Sequence, residues 1–249
     1  MSPEEHRKLA ELEDRMWYFR ALHARREHWL TRLLPAGGAR VLDAGCGTGG
    51  FLRLLRARHP DWELNGVDVS SFACELARER TGVAISEGSI TALPFPGERF
   101  DAISTGDVLY HVSEPGEAVA EFARCLRPGG VVVVNEPAYR WLWSYHDEAV
   151  ESKHRFTRRE LVDQFAASGL VVKFASYANL VALPLVVARR KIFPPRRPGS
   201  DVQLLPAPVE ALLSLMAAGE RGWMKRGWTL PAGSSVFVAG VKGNPGERG

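Results

Sequence analysis

A chain of 249 residues is long enough for one large domain with a developed core, and 45% apolar with 24% charged residues is ordinary for a globular protein. A net charge of +3 is too small to argue for nucleic acid, and no apolar run of about 18 residues suggests a bilayer-crossing helix. The opening residues lack the basic and then apolar regions of a secretion signal. Three widely spaced cysteines, Cys46, Cys74 and Cys125, make no metal pattern, so the expectation is a cytoplasmic protein with reduced thiols and no metal.

Ser2-Pro3-Glu4-Glu5 combines an N-cap, a proline at the first helical position and a glutamate at N3, which predicts a short helix to about Asp14. The aromatic group Met16-Trp17-Tyr18-Phe19 precedes a second helix to about Leu34, stopped by Pro35-Ala36-Gly37-Gly38. Residues 1–38 thus read as a helical cover. From there strands at 40–44, 62–68, 83–87, 100–105 and 131–135 alternate with helices at 49–58, 71–81 and 117–126. Such alternation means βαβ units, a parallel sheet and right-handed crossovers. Residues 137–153, rich in aromatics and histidine, read as a cover or substrate region.

Thr157-Arg158-Arg159-Glu160 is a capping box for a helix ending at Ser168-Gly169, and a strand is expected at 170–177. Two apolar segments, 179–193 and 208–219, are expected to be helical and joined by a Pro/Arg linker at 194–198. A last strand is expected at 234–241 and a disordered tail at 243–249. The fold class is therefore α/β, a doubly wound Rossmann-like sheet of seven mostly parallel strands. It reads as one domain, with a core over 39–178, a helical cap over 179–232, and the last strand and tail over 233–249.

The densest chemistry lies in Val41-Leu42-Asp43-Ala44-Gly45-Cys46-Gly47-Thr48-Gly49-Gly50. A buried strand here ends in a turn tight enough for a ligand to lie against bare backbone. Gly45, Gly47 and Gly50 also satisfy G-x-G-x-x-G, so a dinucleotide such as NAD is the rival ligand. A carboxylate at Asp43 would repel a pyrophosphate and attract an ammonium group, which favours S-adenosylmethionine.

The turn resembles motif I of class I S-adenosylmethionine-dependent methyltransferases, in the broad small-molecule group that includes ubiquinone and menaquinone biosynthesis enzymes. Asp68 in Gly66-Val67-Asp68-Val69, Leu93-Pro94-Phe95-Pro96 before Phe100-Asp101, and Leu126-Arg127-Pro128-Gly129-Gly130 continue the resemblance at the family's spacings. The resemblance implies that Asp43 and the Gly45 backbone hold the methionyl amino group, while Gly47 and Gly49 allow close approach. It places Asp68 on the ribose, Val69 on the adenine, Ser89 and Ile90 near the adenine, and Gly106 at the ligand edge of the sheet. Ser89 stands where the family usually has an aspartate and is a weaker acceptor. Asp68 has an alternative reading as a cap of the helix from Ser71.

Met16-Trp17-Tyr18-Phe19-Arg20 resembles a segment that folds over the cofactor in many such enzymes, with Tyr18 shielding it and Arg20 near its carboxylate. The alternative is that these aromatics only anchor the N-terminal helices. His146, His111 and Asp147 are the candidates for base or acceptor contact. Residues 178–197, apolar and then basic, are open to three readings: a cap, a dimer contact, or peripheral contact with an anionic membrane. The expected function is methyl transfer from S-adenosylmethionine to an oxygen or nitrogen of a small, partly apolar molecule. The alternatives are a lipid or quinone methyltransferase at a membrane surface, a non-catalytic S-adenosylmethionine-binding protein, and an NAD-dependent oxidoreductase.

Overall fold

The computed structural model describes residues 3–194 and 201–243. The expected cap at Ser2, most of the 194–198 linker and nearly all of the 243–249 tail lie outside them. Two helices, α1 (Pro3–Leu12) and α2 (Trp17–Leu33), precede the alternating elements β1 (Arg40–Ala44), α3 (Gly50–Arg58), β2 (Glu63–Asp68), α4 (Ser71–Thr81), β3 (Ala84–Glu87) and β4 (Phe100–Gly106). Then come α5 (Pro115–Cys125), β5 (Leu126–Pro137), α6 (Tyr145–Ala149), α7 (Arg158–Ala167), β6 (Leu170–Ala178), α8 (Leu183–Val187), α9 (Ala207–Lys225) and β7 (Ser235–Lys242). The seven strands form one sheet in the order β3-β2-β1-β4-β5-β7-β6. All neighbours from β3 to β5 pair in parallel, and β7 runs antiparallel between β5 and β6. The expected fold class is the one observed.

The strands are covered on both faces, so they need apolar residues at every position rather than at alternate ones. Val41, Ala102, Val131, Val133, Phe237 and Ala239 face a core built with α2 and α3, through Trp29, Leu30, Phe51 and Leu52. Their neighbours Leu42, Ile103, Val132, Val134, Val236 and Val238 face α5 and α7, through Val119, Phe122, Leu161 and Phe165. The two-residue alternation of side chains across a strand makes this division.

Helix ends follow local chemistry. Ser70 caps α4 by accepting the amide of Ala73, and Gly82 closes it in the left-handed conformation. Thr157 and Glu160 form the expected capping box of α7.

Three elements depart from expectation. β5 begins at Leu126, because Leu126 pairs with Phe100 before Arg127-Pro128-Gly129-Gly130 interrupts the register and Val131 resumes it opposite Ala102. The segment 179–193 is not one helix. Asn179 adopts a left-handed backbone (φ 60°), and Pro184 is tolerated only in a first turn, so a short α8 starts at Leu183 and passes into a π-helical turn at Ala188–Ile192. Conversely, α9 runs past Gly219 to Lys225, since Leu213, Ala217 and Met224 are buried and outweigh the weak helix propensity of Gly219 and Gly222.

The turn after β1 depends on a missing side chain. Gly45 has φ +76°, and a Cβ there would run into the methyl groups of Val108. Gly45→Ala should lower stability by about 2 kcal/mol, read from denaturant midpoints at unchanged m-value.

Candidate functional site

The carboxyl-terminal ends of β1, β2, β4 and β5 open into one cavity of about 1030 Å³, roofed by α1, the start of α2 and the segment around α8. Strand ends in open α/β sheets are where ligands bind, because the turns expose backbone there.

At one end the site is built mainly of backbone. The amides of Gly45 and Cys46 both donate to the Val67 carbonyl oxygen, which pins the turn to β2. Asp68 accepts from the Gly47 amide (2.9 Å) and the Ser70 amide (3.0 Å), so its carboxylate is held at the rim by two rigid donors. Ser70, not Asp68, caps α4, which removes the alternative reading of Asp68 as the helix cap. Gly47 (φ +51°) has nothing within 4 Å of where a Cβ would stand. Val69 lines the cavity although 75% exposed, whereas Ile90, also on its wall, is buried. The Ser89 hydroxyl, on the same wall, shares a hydrogen bond with Thr91 (2.8 Å). Gly49 does not reach the cavity. A Cβ there would meet Thr81 and Ala77, so the close approach it permits is that of α4.

Asp43 needs a correction. Its carboxylate is 1% exposed and forms an ion pair with Arg26, whose Nε donates to Ser104 (2.8 Å) and whose guanidinium lies 3.9 Å above the Phe51 ring. The charge expected to meet an ammonium group is therefore already balanced by a cation from α2. Burial pushes the Asp43 carboxyl up, and Arg26 opposes that shift.

Arg20 also needs one. It is exposed and absent from the cavity wall; the arginines that α2 turns inward are Arg25 and Arg26. Tyr18 does line the cavity, and its hydroxyl donates to Asp107 (2.7 Å). Asp107 follows Gly106 in a left-handed conformation (φ 58°) and also accepts from Asn135 (3.2 Å). Glu13 was not anticipated. Its carboxylate sits against Gly50 at the start of α3, accepting from Thr48 (2.9 Å) and paired with Arg80, and so joins α1 to the turn.

The other end is built of side chains. His111 and His146 both face the cavity. Burial lowers the His111 pKa, with the Glu151 backbone opposing. Burial, reinforced by Arg190, lowers His146 to about 4. His146 Nδ1 accepts the Asp201 amide (3.0 Å), so the neutral ring carries its proton on Nε2 and is a donor, not the expected base. Asp147 is likewise already engaged. It is 1% exposed, paired with Arg155 (Nε, 2.6 Å), and accepts the Ser144 amide (2.9 Å) in a capping box. Glu136, wholly buried, accepts the amides of Val108, Leu109 and Tyr110, and burial pushes it up to about 8. Leu185, Val186 and Phe193 complete this wall, which places part of the 178–197 segment over the cavity.

Residues 42–134, from β1 to β5, match the family described as methyltransferase domain. Over these residues the chain is similar to methyltransferases. It is 34% identical over 153 residues to a malonyl-[acyl-carrier protein] O-methyltransferase of Enterobacter lignolyticus, covering 59% of each chain. It is 34% identical over 139 residues to a ubiquinone biosynthesis O-methyltransferase of Thiobacillus denitrificans, covering 50% of this chain and 59% of that one. The chain thus spans under two thirds of the length of these relatives. Among solved structures, a methyltransferase from a complex with the Haloferax volcanii activator Trm112 shares the fold. Its TM-score is 0.65 at 22% identity, over 97% of this chain and 95% of that one.

The residues present fit the methyl donor S-adenosylmethionine. Asp68 offers a rim carboxylate, Gly47 leaves bare backbone beside it, and Val69 is an exposed apolar surface next to both. Among the described residues no cluster of three or more His, Cys, Asp or Glu is arranged to hold a metal ion.

Two expected outcomes follow from the buried charges. Arg26→Met strands Asp43 without a partner and should cost about 3–5 kcal/mol in denaturant unfolding, whereas Arg26→Met with Asp43→Asn should recover most of the loss. Glu136 has a folded pKa of about 8 against an ordinary 4.5, so the folded chain holds a proton that the unfolded chain releases. Its contribution is full below pH 4.5 and lost as pH rises through 8. His23, His28 and His146, lowered to about 3, 4 and 4 from 6.5, act in the opposite sense and are exhausted above that value. Between pH 7 and 8 the wild type should therefore lose about 1 kcal/mol that Glu136→Gln retains.

Proposed function

We propose that the chain is an enzyme that transfers the methyl group of S-adenosylmethionine to an oxygen or nitrogen of a small, partly apolar molecule. The observation that carries this reading is a continuous cavity, which runs from the glycine turn and Asp68 to a wall of histidines and apolar side chains. When bound, the cofactor supplies an electrophilic methyl group on a sulfonium. Asp68 takes the ribose hydroxyls, while Val69, Ile90 and Ser89 line the adenine. The backbone at Gly45 and Gly47 carries the methionyl part, with Gly106 beside it. Asp43 acts through Arg26 as a positioning residue, and Tyr18 with Asp107 closes the wall above Gly106.

In-line displacement at a methyl group needs alignment, exclusion of water and an unprotonated nucleophile. α1 and the segment around α8 exclude water by roofing the cavity. His111, kept neutral by burial, is the side chain best suited to take a proton from a hydroxyl or amine nucleophile. His146 donates a hydrogen bond to the acceptor rather than removing its proton.

Calorimetric titration with S-adenosylhomocysteine should show binding that NAD does not reproduce. Asp68→Ala should weaken it at least about ten-fold, the loss expected for hydrogen bonds to a charged group. His111→Ala should keep that affinity while losing transfer of a tritiated methyl group to any acceptor the wild type uses. Preference for NAD, or an unchanged affinity in Asp68→Ala, would overturn the reading.

A further inference from the structure

Around His146 three chain segments meet in a charge cluster with an excess of cations. Arg155 is paired with Asp147, and its side chain is 3% exposed. Arg190, 12% exposed, lies between two carboxylates, 3.8 Å from Asp147 and 3.1 Å from Asp201. Arg189 also pairs with Asp201 (2.9 Å). Among the described residues, three guanidinium groups thus share two carboxylates. On the neighbouring wall the Lys153 ammonium donates to the Ser113 hydroxyl (3.2 Å), and Lys191 gives its ammonium to the Trp143 carbonyl oxygen (2.7 Å). The third guanidinium, that of Arg189, has a side chain 38% exposed and shares Asp201 with Arg190, so the cluster carries a surplus positive charge on the cavity wall that favours an anion beside it.

The other polar group points the same way. With His146 Nδ1 occupied by the Asp201 amide, the ring offers a donor at Nε2. Guanidinium and imidazole N–H groups suit an anionic oxygen, and both aspartates of the cluster already accept from arginines. Beside it Leu185, Val186, Val202 and Leu205 form an apolar wall that leads to Phe193 at the mouth, which is 75% exposed.

We propose that this cluster seats an anionic group of the methyl acceptor, so that the acceptor is an amphipathic acid. Its carboxylate or phosphate lies against Arg190, Arg189 and His146 Nε2, and its apolar body lies along Leu185, Val186 and Val202. This rests on the reading of the cavity as a methyltransferase site and names the substrate class that site takes.

The test is calorimetric titration of the S-adenosylhomocysteine-saturated protein with decanoate, decyl phosphate and methyl decanoate at low salt. At least one anion should bind about ten-fold or more tighter than the neutral ester, and the tighter of the two identifies the head group. Arg190→Gln should abolish the preference, Arg190→Lys should keep part of it, and affinity for S-adenosylhomocysteine in both should equal the wild type. If Arg190→Gln does not fold, Arg189→Gln carries the same comparison. Equal binding of ester and acids, or a preference that survives in the glutamine variant, overturns the proposal. Absence of S-adenosylhomocysteine binding in the wild type would instead sink the methyltransferase reading. The three titrations on the cofactor-free protein would then still decide the head-group preference.

Discussion

The buried pair of Arg26 and Asp43 holds the site together. Arg26 reaches from α2 to the end of β1, donates to Ser104 on β4, and lies on the Phe51 ring of α3. A Cβ on Gly106 would meet its side chain at 3.2 Å, so Gly106 is shaped to it as well. Arg25, the preceding residue, donates to Asn135 on β5 and to Asn179 after β6. Two adjacent arginines of one helix therefore bind the exits of four strands. Burying such charges is costly unless they are paired or hydrogen-bonded; Arg26 is paired with Asp43, and Arg25 is hydrogen-bonded to two asparagines.

The two ends of the cavity are made in different ways. The glycine turn and the end of β2 are fixed by backbone hydrogen bonds among neighbouring strands, so that end is rigid and indifferent to most side-chain changes. The acceptor end is assembled from side chains near α6, α8 and residue 201, held by ion pairs rather than by a ladder. Such a wall can change its chemistry without disturbing the sheet. This matches a fold in which one cofactor end serves many acceptors.

Several elements could be read in advance because their causes are local. The glycines at 45, 47 and 49 adopt positive φ, which other residues resist, and the capping boxes declare their helices. Other assignments failed because their causes are remote. Arg20 and Arg26 lie on the same helix, and only packing against β1 and β4 decides which one turns inward. Asp147 and His146 look like an acid–base pair until Arg155 and the Asp201 amide occupy them. Glu13 carries no local signal at all; its role comes from meeting Thr48 and Arg80 across the turn.

The sequence by itself determined the α/β alternation, the glycine turn and the acid at the end of β2, since these rest on period, backbone freedom and spacing along one short stretch. Only the tertiary structure decided which charges are free. Arg26 cancels Asp43 across 17 positions, while Asp201 engages His146 across 55. Electrostatic pairing depends on distance in space, and a buried charge takes whatever partner the fold brings to it.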